Sequence, residues 1–145
     1  MKNVFIYLFA VAFVFLVSQI IPPFTVHAEG DAFLNIDEVI KNVDPDKVNK
    51  AQFKEYYKTI EGEKAKGEGI VVSFLPGVKD KHRIAILTPA SHPDKKYNVV
   101  LYTNQDATEL KNDDKVMFEG KIGHITPFRG ASIDIHGTYK KVGGK

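Results

Sequence analysis

Residues 116–139 read VMFEGKIGHITPFRGASIDIHGTY. Val116, Phe118 and Ile122 hold every second place before Pro127, apart from Gly120, and Ile133, Ile135 and Tyr139 resume the alternation after Gly130. Glu119, Lys121, Ser132, Asp134, His136 and Thr138 stand between them. A period of two with polar residues interleaved predicts antiparallel strands that are buried on one face and wet on the other.

The same period extends back to Lys64. Ile70, Val72 and Phe74 predict a first strand, Ile84 and Ile86 a second, and Tyr97, Val99 and Leu101 a third. Pro76-Gly77, Pro89 with His92-Pro93, and Asn112-Asp113-Asp114 separate the strands, as residues that favour turns do. An open sheet of five short strands leaves two unpaired edges, and closing it into a barrel removes most of them. Gly67, Gly69, Gly120 and Gly137 lie where a small, strongly coiled barrel needs sharp bends. QDATELKNDD, residues 105–114, has the length for one or two helical turns. Three strands, a small helical connection and two more strands give a mainly β fold, the five-stranded Greek-key OB-fold barrel, over residues 63–145.

Residues 29–62 predict a helical segment. Asn35 suits a cap, with Glu38 three places on, and Ile36, Val39, Ile40 and Val43 recur at helical spacing. Asp44-Pro45 predicts the start of a second helix over 46–61, and Gly62 its end. Phe53, Tyr56, Tyr57 and Ile60 make one apolar face of that helix. Asn98, Val100 and Tyr102 with Ala85 and Leu87 form an outer barrel surface that is apolar for a solvated one, and the second helix is expected to cover it.

Residues 1–28 differ from the rest. Lys2 is the only charge before the apolar run VFIYLFAVAFVFLV at 4–17, and Val26-His27-Ala28 has the small-residue pattern of a cleavage site. These features predict a signal peptide, with an uncleaved membrane anchor as the alternative. Either predicts a periplasmic or secreted protein, and cytosolic nucleotides become poor partner candidates. Residues 29–62 carry five Lys against eight Asp/Glu, and residues 63–145 carry fourteen Lys/Arg against ten Asp/Glu. A net charge this small predicts no strong electrostatic steering.

The absence of cysteine excludes disulfides, cysteine-ligated metals and thiol nucleophiles. His82, His92, His124 and His136 lack metal-ligand spacing. Asp134 and His136 share a strand face, which reads as a metal pair or as a solvated polar face. Ser73, Ser91 and Ser132 lack the setting of a hydrolase nucleophile. Gly67-x-Gly69 precedes a strand instead of a helix, so it is barrel geometry and no phosphate cradle. No enzyme activity, cofactor or metal is expected.

The runs QFKEYYKTIEGEKAKGEGIVV at 52–72, LKNDDKVMFEGKI at 110–122 and IDIHGTY at 133–139 resemble a group of bacterial exported proteins. Their OB-fold is related to tRNA-anticodon-binding domains. The likeness rests on Gly67-x-Gly69-x-Val71 and on Leu110, Asp113, Val116, Phe118, Gly120 and Ile122, with one extra residue before Val116. These motifs are structural. The resemblance implies the fold, and the family name implies nucleic-acid binding; it carries over no catalytic residue.

OB-folds bind through the face of their second and third strands and the loops joining strands one to two and four to five. The first loop carries Lys79, Lys81 and His82 and ends at Arg83, while the second carries Phe128 and Arg129. With both loops expected at one end of the barrel, these six residues are the candidate ligand site; a solubilising rim is the other reading. The expected function is an exported binding or adaptor module of the cell envelope, its partner an envelope protein or an anionic polymer. The alternative is a binder of single-stranded nucleic acid.

Overall fold

Ala65, Gly67, Gly69 and Val71 all face the inside of one long strand. Two of these four places hold no side chain, so the strand's true period is hidden from a search for apolar residues. The computed structural model describes residues 32–143, apart from 92 and 128–130. Its elements are β1 (Leu34–Asn35), α1 (Ile36–Asn42), α2 (Lys50–Ile60), β2 (Lys64–Val78), β3 (Lys81–Leu87), β4 (Val99–Thr103), β5 (Lys115–Thr126) and β6 (Ser132–Lys141). Residues 1–28, where the leader is expected, lie outside the described residues.

Strands β2 to β6 close into a five-stranded barrel in the order β2-β3-β4-β6-β5, with β5 pairing back to β2 and the short β1 lying parallel to β2. β4 and β6 run parallel, while the other barrel pairs are antiparallel. Val71 leads across the ladder to Ile86, Val99, Ile133 and Ile125. On β5's side, however, Val71 bonds Asp113 and Asp114. That stagger is the shear a closed, tilted barrel requires. β2 spans it by pairing with β5 over its first half and with β3 over its second.

The expected OB-fold barrel is therefore present, with corrections in its parts. In the first strand Val71 is buried, while Ile70 and Phe74 are each 44% exposed. A bulge between Val71 and Ser73 then switches the faces. Residues 104–114 form turns and no helix, with Leu110 bonded to Ala107 and Asp114 to Lys111. Ala107 and Leu110 still enter the core, so this connection stops one end of the barrel without helical geometry.

α1 stops the other end. Asn35 caps it by accepting from the Asp37 amide, and Ile36, Val39, Ile40 and Val43 enter the barrel core. Ile36 packs on Gly67, and the Asp37 carboxylate accepts from the Ala90 amide. The second helix starts at Lys50, not at 46. Asn49 and Gln52 form a reciprocal capping box there, whereas Asp44 holds a separate turn by accepting from the amides of Asp46, Lys47 and Val48. Gly62, at φ +80, ends α2 as expected.

Candidate functional site

One cross-strand row on the outside of the barrel brings chemistry together. Leu75 stands opposite Arg83, Arg83 opposite Tyr102, Tyr102 opposite His136 and His136 opposite Lys121. Opposed residues share a face, so the period-two strands place all five side chains outward. The Arg83 guanidinium lies 5.4 Å from the centre of the Tyr102 ring. That ring stacks on the His136 imidazole with centroids 4.7 Å apart and planes 27° from parallel. The result is a column of cation, aromatic ring and imidazole.

Asp134 stands one outward place along β6. Its carboxylate is 3.4 Å from the Tyr102 hydroxyl, which donates to it. Burial raises the Asp134 pKa above the usual carboxylate value, outweighing the opposing pull of the Tyr102 hydroxyl, His124, His136 and Arg83. The Arg83 side chain donates to the Pro76 carbonyl at 3.3 Å, and its buried Nε has no partner among the described residues. His136 lies over Gly123, where a Cβ would meet its Nε2 at 2.7 Å. The Gly123 carbonyl accepts from the Tyr57 hydroxyl of α2, at 3.2 Å. Burial, followed by the neighbouring Glu61, raises the pKa of that Tyr57 hydroxyl.

α2 therefore reaches the rim of the site at β5. A further tertiary hydrogen bond runs to α1, from Asn42 to the Tyr56 hydroxyl. These two hydrogen bonds tie α2 to β5 and α1, and the Asp134 carboxylate of β6, opposite Val100 of β4, also acts on Tyr57. The apolar face of α2 joins the main core, through buried Ile60 and partly buried Phe53, Tyr56 and Tyr57. Ala85 and Val100 are buried, and Asn98 is fully so. Asn98 belongs to no ligand face: it accepts from the Thr88 amide and donates to the Thr88 hydroxyl at 2.9 and 2.8 Å.

The four sequence candidates among the described residues do not all join the column. Only Arg83 belongs to the column. Lys79 lies in the two-residue turn between β2 and β3, and Lys81 begins β3. His82 pairs with Thr103, one place along from Arg83, and so faces the other side of the sheet. Phe128 and Arg129 lie outside the described residues. The strands that carry their loop end at Thr126 and Ser132, beside the Val99–Ile86 end of β4 and β3, whereas the 79–80 turn leaves the opposite end of β3. The expectation of one shared end fails because the chain reverses at each strand, so its first and fourth connections leave opposite ends of the barrel.

Sequence reasoning missed Tyr102 as a partner of Arg83, because their pairing depends on the β3–β4 register. Asp134 and His136 were visible as a pair on one face, yet among the described residues no three acidic or histidine groups gather to hold a metal. The column can stack a planar group against its rings or hold an anion at Arg83 and Lys121. A separate groove of about 570 Å³ lies over β2, β5 and β6, where Lys66 and Lys140 mix with Glu68 and Glu119, and charges of both signs select no ligand class.

No family model and no curated protein matches the chain. Among solved structures it is similar to OBody AM3L09 bound to hen egg-white lysozyme, at 15% identity and a TM-score of 0.42, covering 58% of this chain and 85% of that one. It is also similar to OBody AM1L10 bound to hen egg-white lysozyme, at 14% identity and a TM-score of 0.40, covering 60% and 85%.

Proposed function

We propose that the chain is exported and serves as a non-catalytic binding module of the cell envelope, holding its partner on the outer face of β3, β4 and β6. The observation that carries this reading is the Arg83–Tyr102–His136 column. Arginine and tyrosine are the side chains that concentrate binding energy at interfaces, because each joins a large flat surface to polar contacts. Here the two are already stacked, so part of the ordering cost of binding is met before a partner arrives. Export is supported by the apolar run and small-residue site of residues 1–28.

A photo-crosslinking side chain placed at Thr138, the next outward place along β6 from His136, in the full chain and in the cell that makes it, tests both halves. One envelope component is expected to be joined there, and none at Glu109 on the 104–114 connection. Tyr102→Ala is expected to abolish the adduct. Equal crosslinking at both positions, or recovery of the chain with the cytoplasmic fraction, overturns the reading.

The same column favours a second reading, single-stranded nucleic acid or another anionic polymer, through ring stacking beside Arg83 and Lys121. Two or three such contacts predict a log–log salt slope of roughly −2 for single strands. A dissociation constant that ignores salt removes that alternative.

A further inference from the structure

The β2–β3 hairpin has no place in the column apart from Leu75 and Arg83, and its tip is chemically unusual. Four large apolar side chains are exposed among the described residues: Ile70, Phe74, Val78 and Met117. Phe74 and Val78, 44% and 45% exposed, belong to this hairpin. β2 loses its β5 partner beyond Ile70, so from there the hairpin has strand pairing on the β3 side alone. Pro76, which lacks an N–H, blunts that unpaired edge against strand addition.

The turn joins Val78 to Lys81 through two residues, Lys79 at φ 48 and Asp80 at φ 61. Both are in the left-handed region, where a hairpin of this length ordinarily uses Asn-Gly. The strained backbone presents Lys79 and Lys81 on either side of Asp80. Neither lysine forms an ion pair among the described residues. With Arg83, the stretch from Phe74 to Arg83 holds three cations against one carboxylate.

We propose that this hairpin docks the protein on an anionic lipid surface, with Phe74 and Val78 entering the headgroup boundary and Lys79 and Lys81 meeting lipid phosphates. Phe74, paired with Ile84, and Val78, paired with Lys81, leave the tip apolar on both faces, next to lysines that form no ion pair among the described residues. Such a tip matches the surface in both respects, since the apolar groups leave water and the cations neutralise the leaflet.

The test uses residues 29–145, which include every buried core residue among those described, Ile36 to Ile135, and leave out the apolar run at 4–17, so that run adds no membrane affinity. The chain is sedimented with phosphatidylcholine vesicles, with and without phosphatidylglycerol. Binding is expected only with phosphatidylglycerol and is expected to fall as salt rises. Lys79→Gln and Lys81→Gln are each expected to weaken it about five-fold. Phe74→Ser and Val78→Ser are expected to weaken it about ten-fold, while Met117→Ser, on β5, leaves it unchanged. Thermal unfolding confirms that each variant is folded. Equal binding to neutral vesicles, no binding to either, lysine variants that bind like the parent, or an equal loss with Met117→Ser overturns the proposal. The crosslink at Thr138 reads the column and vesicle sedimentation reads the hairpin, so each proposal fails on its own result.

Discussion

Gly120 and Gly137 face each other across the β5–β6 ladder with no room between them for a side chain. A Cβ on Gly137 would collide with the Glu119 carbonyl, and one on Gly120 with the His136 carbonyl. Here the backbones approach closely because the sheet is bent into a narrow barrel. The same approach holds β6 where His136 meets Tyr102. Gly137→Ala is expected to cost about 2 kcal/mol, as overpacking a closed site does. Gly143→Ala, with open space around it, leaves no such clash, though its φ of +69 adds a smaller backbone penalty. Urea unfolding of the two variants checks the order; equal losses would show that the bend relaxes freely.

Asn98 predicts a larger effect from a residue that looks like surface in the sequence. It is fully buried and satisfies the Thr88 amide and hydroxyl together, locking the 88–98 connection between β3 and β4. Asn98→Ala strands both Thr88 groups in a buried place, which costs about 1–3 kcal/mol for each unsatisfied group. Asn98→Asp keeps an acceptor for the amide but puts a charge in a fully buried place, so at neutral pH it is expected to lose at least as much as alanine. Thermal unfolding of the three chains checks this order.

The barrel was legible because its inward positions on β3, β4, β5 and β6 hold apolar residues that recur every second place, such as Ile84, Ile86, Leu101, Phe118 and Ile135. β2 was misread because Gly67 and Gly69 fill its inward places and bulges follow Val71 and Leu75. A side-chain pattern cannot register a position that has no side chain. α2 was begun too early because Asp44-Pro45 and Asn49 offer competing caps, and only Asn49 gains a reciprocal partner, Gln52. The site was harder to read. Arg83 was identified by its charge, but Tyr102, His136 and Asp134 join it through pairings between strands distant in sequence, and no local spacing records those pairings.

Acid titration separates two kinds of carboxylate. Burial raises the Asp134 pKa, so the folded chain holds that proton more tightly than the unfolded one. Asp134 therefore favours folding below the ordinary carboxylate value, and that contribution is lost as pH rises through its raised folded pKa. Asp114 is the reverse. Lys141, at 2.8 Å, and the Lys111 amide, at 2.7 Å, hold its pKa down. Its contribution is present above the ordinary value and is lost as pH falls through the lowered one. Asp134→Asn is expected to gain on the parent as pH rises through the carboxylate range, and Asp114→Asn to lose on it. Unfolding midpoints measured across that range check the signs; parallel profiles for both variants would refute the assignment.

The β2–β3 turn offers a separation of strain from recognition. Asp80 adopts φ 61 beside Lys79 at φ 48, and a non-glycine residue held there costs about 1–2 kcal/mol. Asp80→Gly relieves that cost and removes the one carboxylate between Lys79 and Lys81. The variant is expected to unfold later by about 1 kcal/mol and, at the same time, to bind phosphatidylglycerol vesicles more tightly. Lys79→Asn with Asp80→Gly restores the sequence a two-residue hairpin prefers and is expected to be more stable still. With one lysine gone, its vesicle binding is expected to drop below that of Asp80→Gly. Stability and binding that rise together in both variants would mean that turn geometry, and not the lysine charge, controls the membrane contact.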